Sequence, residues 1–227
     1  LCKYGVLPIE NSSNGSVNGV YDLMLNHNFY IVRTVKLHIS HVLLAKEGVQ
    51  EGAIREIYSH EQALGQCSGY LKAHPDVKIN VCENTAAAAK IVAESDRRDV
   101  AAISSANCAE LYNLKVLSRK VQNSENNYTR FICISKEPEI YAGANKISLM
   151  LTLPHRPGAL YSVMSKFNAL GLNLSKLESR PIVGSDFEFM FYFDIEAEIH
   201  KEGVLKLMSE LSSSLERFVF LGAYSEL

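Results

Sequence analysis

In the stretch NSENNYTRFICI, residues 123–134, an asparagine-laden polar segment runs through Thr129 and Arg130 straight into the apolar run Phe131 to Ile134, with no glycine or proline to mark a turn. A hydroxyl and a guanidinium at the mouth of a strand admit three readings. Asn127-Tyr128-Thr129 fits the N-x-T pattern of a sugar acceptor; the pair can be an ordinary strand entrance; or it can be the edge of an active site. A second set of polar residues recurs in a pattern. Glu10-Asn11-Ser12, Ser59, Asn84-Thr85 and Ser104-Ser105 each follow an apolar strand-like run and precede a helical one. Helix starts present unpaired N–H groups and partial positive charge, so several such turns at one sheet edge make a site for a small anion, most naturally a carboxylate or phosphate.

Other chemistries find little support. His38-Ile39-Ser40-His41 lies in a strand-like run, where a three-residue offset sends the side chains to opposite faces; with no H-E-x-x-H pattern or cysteine cluster, no metal site is expected. Neither Gly15-Ser16 nor Gly184-Ser185 has the context of a nucleophile elbow. Cys67 and Cys108 have no histidine tied to them and read as small core hydrophobes. The glycine-rich loops of dinucleotide and P-loop sites are absent.

Composition narrows the function classes further. The chain has 227 residues, 47% of them hydrophobic, and a formal net charge of −2 with its basic residues scattered. Arg97-Arg98 is the only Arg pair, so there is no electrostatic footprint for nucleic acid. No apolar run approaches the roughly 18 residues of a membrane span. Five cysteines without a C-x-x-C pair favour a reducing compartment, and a cytoplasmic location is expected. The N-x-[ST] matches at Asn11, Asn14, Asn127 and Asn173 then have no enzyme to modify them. The chain opens at Leu1-Cys2-Lys3 already inside a strand pattern and reads as the continuation of something longer.

The elements that must position these residues follow from the same pattern. YGVLPI leads to SVNGVYDLML, AIREIY to HEQALGQCSGYLKA, VKINVC to AAAAKIVAE and VAAI to ANCAELY; such alternation predicts α/β structure with a largely parallel sheet. Ser59 with Gln62 fits a capping box, and Thr85 before an alanine run fits an N-cap. Around residues 135–146 Pro138, Gly143 and charged residues break the pattern, as in a linker. Beyond it come strand 146–153, helix ALYSVMSKFNAL, strand NLSKLESRPI, a turn at Gly184, strand FEFMFYFDI, helix EGVLKLMSELSS and strand RFVFLGAY. That order, βαββαβ, predicts a ferredoxin-like unit with an antiparallel sheet.

Taken in order, YGVLPIENSSNGSV, SHEQALGQCSGYL, ENTAAAAKIV, AAISSANCAELYNLKVL and NNYTRFICIS resemble prephenate dehydratase, an enzyme family of phenylalanine synthesis. RPGALYSVMSKFNALGLNLSKLESRP is similar to the ACT regulatory domain attached to it. The resemblance covers nearly the whole chain. It implies a two-lobed catalytic domain, periplasmic-binding-protein-like, over residues 1–140 and a ferredoxin-like ACT domain over 146–227. A glycine-rich GPxGTFS-like segment that opens the family's catalytic region is absent here, so the second lobe is expected nearly whole and the first truncated.

The implied reaction converts prephenate to phenylpyruvate with loss of carbon dioxide and water, and needs no cofactor. By the same resemblance Thr129 is the catalytic hydroxyl, with Arg130 and Phe131 fixing its segment. Its acidity is too weak for an unaided general acid, so its role is to donate a hydrogen bond to the leaving oxygen. Substrate binding is assigned to Glu10, Asn11, Ser12, Ser59, His60, Gln62, Asn84, Thr85, Ala86 and Ala87. L-Phenylalanine is expected at Gly158, Ala159 and Leu160 of a helix start and at Asn173, Leu174, Glu178, Ser179, Arg180 and Pro181 of the next strand. ACT domains of this family pair between chains, which implies a homodimer or homotetramer. Arogenate dehydratase, or a non-catalytic amino-acid-binding or sensory module of the same descent, are the alternatives. The sequence departs from the family pattern at Glu61 (usually proline), Tyr161 (commonly small and aliphatic) and Asn123 (near a frequent aspartate).

Overall fold

The computed structural model describes residues 2–182 and 188–227. The turn expected at Gly184, and the start of the following strand at Phe187, lie outside the described residues. The chain forms mixed α/β structure with three sheets. By contact it divides into two compact units, Leu1–Leu37 with Thr129–Leu227, and His38–Tyr128.

The first unit begins with β1 (Tyr4–Asn11), a two-residue return strand β2 (Gly15–Ser16), helix α1 (Asn18–Asn26) and β3 (Tyr30–His38). Strand β2 pairs with β1 only at Glu10 and Asn11, so Pro8, which has no N–H to give, stands where β1 lacks a neighbour on that side.

The second unit follows the expected alternation. It holds β4 (Val42–Ala45), a 3₁₀ turn at Glu51–Ala53, β5 (Glu56–His60), α2 (Glu61–Gln66), α3 (Ser68–Lys72), β6 (Lys78–Cys82), α4 (Thr85–Glu94), β7 (Val100–Ser104), α5 (Asn107–Leu111) and β8 (Lys115–Ser118). The sheet order is β6-β5-β7-β4-β8, with β5 parallel to β6 and β7 and β4 antiparallel to β7 and β8. Every residue of β4 and β7 is buried, as continuous apolar runs in a central strand require. Ala88, Ala89 and Val92 pack α4 onto the Val100 and Ala102 face of β7, while Ala101 and Ile103 meet α2 through Ala63 and Leu64.

The chain then returns to the first unit as β9 (Tyr128–Ser135), followed by β10 (Lys146–Thr152), α6 (Ala159–Ala169), β11 (Asn173–Pro181), β12 (Phe189–Glu196), α7 (Glu202–Ser214) and β13 (Phe218–Tyr224). Strands β2-β1-β9-β3 make one sheet, and β11-β12-β10-β13 make another. The β10-to-β13 pairings are all antiparallel, in the βαββαβ order expected.

Strand β10 divides its neighbours by alternation. Ile147, Leu149 and Leu151 join Val163 and Phe167 of α6 and Val204, Leu207 and Leu211 of α7. On the other face Met150 lies with Met190, Tyr192, Leu221 and Tyr224 against Ile9, Tyr21, Met24, Ile31 and Ile132. The approach is tight at Gly222, where an added Cβ would stand 2.1 Å from the Ile31 carbonyl oxygen and where φ is +149°.

Two expectations are corrected. The first strand-to-helix unit, YGVLPI with its helix, does not enter the parallel sheet: β1 pairs antiparallel with β2 and β9. Its bordering residues are as apolar as those of a parallel strand, and only long-range pairing separates the two cases. Second, His38 and His41 do not share a strand, because β3 ends at His38 and β4 begins at Val42.

Candidate active site

Glu10, Asn11, Thr129 and Arg130 meet across β1 and β9, where Asn11 faces Thr129 and Glu10 faces Arg130 in the antiparallel register. Asn11 is buried, and its Oδ1 accepts the Ser13 and Asn14 amides, each at 3.0 Å. Two backbone donors on that oxygen settle which end of the amide is which, so Nδ2 must face Thr129, and it donates to Thr129 Oγ1 at 3.0 Å. A hydroxyl that accepts from an amide keeps its own O–H as a donor. That is the polarity the expected role requires.

Arg130 is the next residue on the strand and turns the opposite way. It is buried, and its Nη1 donates to Asp194 Oδ2 at 2.5 Å while Nη2 donates to the Tyr224 hydroxyl at 3.0 Å. Glu10 lies 4.0 Å from Nη1 and Glu226 3.5 Å from Nε. Asp194 is fully buried and also accepts from Ser148 and Tyr192 at 2.5 Å. Burial pulls the Arg130 guanidinium down, but the charge of Asp194 outweighs it and holds the group firmly protonated. Burial beside Asp194 pushes the Tyr192 and Tyr224 hydroxyls up, so both remain neutral donors. The guanidinium is thus committed to β12 and β13. Phe131 is half-buried opposite Pro8.

The second group of candidates lies in the His38–Tyr128 unit, at the ends of β5 and β6. Ser59 is fully buried and donates to the Ile103 carbonyl at 2.6 Å, which ties β5 to β7. The expected Ser59–Gln62 capping box is therefore not formed. His60 is the N-cap instead, its Nδ1 accepting from the Gln62 amide at 3.3 Å. Likewise Asn84, not Thr85, caps α4, by accepting the Ala87 amide at 2.7 Å. The first shift has a visible cause: the Ser59 hydroxyl is taken by the sheet, and the next polar residue caps. Gln62 and Asn84 are exposed, and Thr85, Ala86 and Ala87 are half-buried.

Among the described residues no group of three or more metal-ligating side chains converges. His38 Nε2 meets the Glu125 carbonyl at 2.7 Å and His41 Nε2 meets Gln66 Oε1 at 2.9 Å. Burial pulls the His41 imidazole down and pushes the Cys67 thiol up to about 12, which makes Cys67 a poor nucleophile. Asn127 is buried and its Nδ2 donates to Gln66 Oε1 at 2.9 Å, a placement with no room for a sugar.

A family model described as prephenate dehydratase matches residues 1–139. The chain belongs to the prephenate dehydratase family. It is 36% identical over 236 residues to arogenate dehydratase/prephenate dehydratase 2, chloroplastic, of Arabidopsis thaliana, which covers 99% of this chain and 61% of that protein. It is 36% identical over 226 residues to the bifunctional chorismate mutase/prephenate dehydratase of Enterobacter agglomerans, covering 99% and 58%. This chain therefore spans about three-fifths of the length of the curated relatives it matches. Among solved structures, prephenate dehydratase of Arthrobacter aurescens in complex with L-Phe superposes with a TM-score of 0.87 at 30% identity, covering 99% of this chain and 75% of that one. GqqA, described as a novel type of quorum-quenching acylase, superposes equally well, with a TM-score of 0.87 at 29% identity over 100% of this chain and 83% of that one.

Of the residues that the family resemblance assigns to phenylalanine, Gly158 is the N-cap of α6 with φ +82°, and Ala159 and Leu160 open the helix. The Ala159 amide donates to the Arg156 carbonyl at 3.3 Å. On β11, Leu174 packs against the helix-side core, Asn173 donates to Glu196 at 2.8 Å, and Ser179 and Pro181 are exposed. Glu178 accepts from Ser16 at 2.6 Å, and Arg180 forms a paired contact with Asp22 at 2.9 and 3.0 Å. Asp22, Lys176, Ser148, Asp194 and Tyr224 are not singled out by the sequence, where nothing local distinguishes them, and Ser16 is weighed there only as a nucleophile.

Proposed function

We propose that the protein to which this chain belongs is a prephenate dehydratase, with the substrate's ring hydroxyl departing beside Thr129. In the reaction the bond from the ring to its carboxylate breaks and carbon dioxide leaves. The released electron pair completes the aromatic ring as the opposite C–O bond breaks, and the departing hydroxide takes up a proton and leaves as water. The observation that carries this reading is the Asn11–Thr129 bond, which leaves the Thr129 hydroxyl a donor. Donation by the amide also polarises that hydroxyl, since hydrogen bonds in a chain strengthen one another. No side chain needs to carry a cofactor, because aromatisation supplies the driving force.

The catalytic region is assigned to residues 1–140, with the two-lobed architecture of the family, and within the His38–Tyr128 unit the side chains of His60, Gln62, Asn84 and Thr85 and the first amides of α4 make an edge suited to a carboxylate. Residues 146–227 are assigned as an ACT regulatory domain that takes L-phenylalanine and pairs between chains. The βαββαβ order supports the second assignment, and the Arthrobacter aurescens relative was solved with L-Phe bound. Five free cysteines support a reducing compartment such as the cytoplasm. Arogenate is the second substrate reading, since the Arabidopsis relative is named for both activities.

The test follows phenylpyruvate formation from prephenate, and phenylalanine formation from arogenate, in a protein carrying the complete catalytic region. Thr129→Ala is expected to lower kcat by about 10²–10³, the usual cost of losing a donor at a developing negative charge. An unchanged rate would remove Thr129 from the mechanism, and preference for arogenate would decide the substrate. Calorimetry with L-phenylalanine tests the regulatory half, where the absence of any binding heat would reject the ACT assignment.

A further inference from the structure

Lys176 has no part in the assignments above, yet it is the most covered of three charged residues at alternate positions of β11, its side chain 14% exposed against 24% for Glu178 and 23% for Arg180. Its Nζ donates to Glu10 Oε1 at 2.6 Å and to Ser16 Oγ at 2.9 Å. Glu10 and Ser16 are opposite one another across β1 and β2, so one ammonium ties both strands of the hairpin together. Strand β2 is only two residues long, and short hairpins are marginal alone.

The next pair along is Asn11 with Gly15, and this pair carries the turn in which Asn11 Oδ1 receives the Ser13 and Asn14 amides. Asn11 Nδ2 then holds Thr129. Alternation places Glu10 and Asn11 on opposite faces, so the clamp grips the hairpin from one side while the turn presents Asn11 to Thr129 on the other. Ser16 is fully used in this arrangement, accepting from Lys176 and donating to Glu178 at 2.6 Å.

We propose that Lys176 is a positioning residue for Thr129, acting through the Glu10–Ser16 pair and the Asn11 turn. The inference rests on the reading of Thr129 as the donor to the leaving oxygen. Because the reacting groups must be held to within a fraction of an ångström, loosening the turn lowers the rate without removing a substrate contact, so the loss falls on kcat more than on KM.

The experiment compares the protein carrying the complete catalytic region with its Lys176→Met, Lys176→Arg and Ser16→Ala variants. Hydrogen exchange at the Ser13 and Asn14 amides is read by NMR, beside kcat and KM for prephenate. Lys176→Met is expected to speed exchange at those two amides and to lower kcat about tenfold with KM within about twofold. Lys176→Arg should recover most of both effects, and Ser16→Ala, which removes one contact of the ammonium, should fall between. Unchanged exchange in Lys176→Met, or a raised KM with kcat intact, overturns the inference. If the unaltered protein makes no phenylpyruvate while exchange still responds to Lys176→Met, the functional reading falls and the clamp on the hairpin stands. If the unaltered protein turns over and Lys176→Met matches it, the inference alone falls.

Discussion

His60 and Asn84 are each held by a backbone amide two or three residues further along their own segment, whereas Thr129 is held by a side chain 118 residues away and Arg130 by one 64 residues away. The two compact units thus fix their candidate residues by opposite means. In the His38–Tyr128 unit the turns from strand to helix carry their own caps. In the other unit the polar groups near Thr129 are arranged by partners on β10, β11, β12 and β13, so their placement exists only when that whole body is folded. Ser59 is the exception within the second unit, since its hydroxyl reaches across the sheet to Ile103.

The contrast predicts unequal costs of mutation. The largest is expected for Asp194→Ala, which leaves the buried Arg130 guanidinium without its nearest carboxylate; unfolding by urea should register a loss of about 3–5 kcal/mol. A loss below about 1 kcal/mol would mean that Glu10 and Glu226 alone satisfy Arg130, and the long-range network would lose its importance. Ser59→Ala follows, at about 1–3 kcal/mol for a buried hydrogen bond removed from one side. Asn84→Ala should cost about 1 kcal/mol, as a lost helix cap does, with the damage confined to exchange in the first turn of α4. Equal costs for Asn84→Ala and Asp194→Ala would erase the distinction. Smallest is Arg180→Ala, whose pair with Asp22 is part-exposed and should be worth no more than about 1 kcal/mol in thermal or urea unfolding.

The legible part of the structure is the part governed by short-range rules. The apolar runs of β5, β6 and β7 with their helices, and the βαββαβ order after the linker, follow from periodicities that each segment expresses without its neighbours. The cap of α2 falls one residue beyond Ser59 for a reason local sequence does not contain: Ser59 faces Ile103, and a strand's neighbours decide which side chains remain available to cap. Strands β2 and β8 are not expected from the sequence, and β3 and β4 are foreshadowed only by the strand-like run at 38–41. Strands β2, β4 and β8 are only two or four residues long, too short to show a period.

The linker at 135–146 marks a change of pattern but not the division by contact, because Met150, Tyr192 and Tyr224 bury one face of the second sheet against Ile9, Tyr21 and Ile132. A strand such as β10, apolar at almost every position, announces burial on both faces without naming what covers either one. Asp194 is likewise an ordinary aspartate in the run FYFDIE. Its burial beneath Ser148, Tyr192 and Arg130 is visible only once three strands are paired.

By itself, then, the sequence determined the order and kind of most elements and the family, and through the family resemblance it singled out Thr129 as the expected catalytic hydroxyl. Side-chain identity and near-neighbour spacing carry that information directly. Only the tertiary structure decided that Asn11 orients the Thr129 hydroxyl, that Arg130 is committed to Asp194, and that Lys176 grips the hairpin between them. Those contacts join residues 64 to 166 positions apart. Which of many possible partners a polar side chain takes at such a distance is set by strand register and by which faces the packed core leaves open, and neither is written in any one segment.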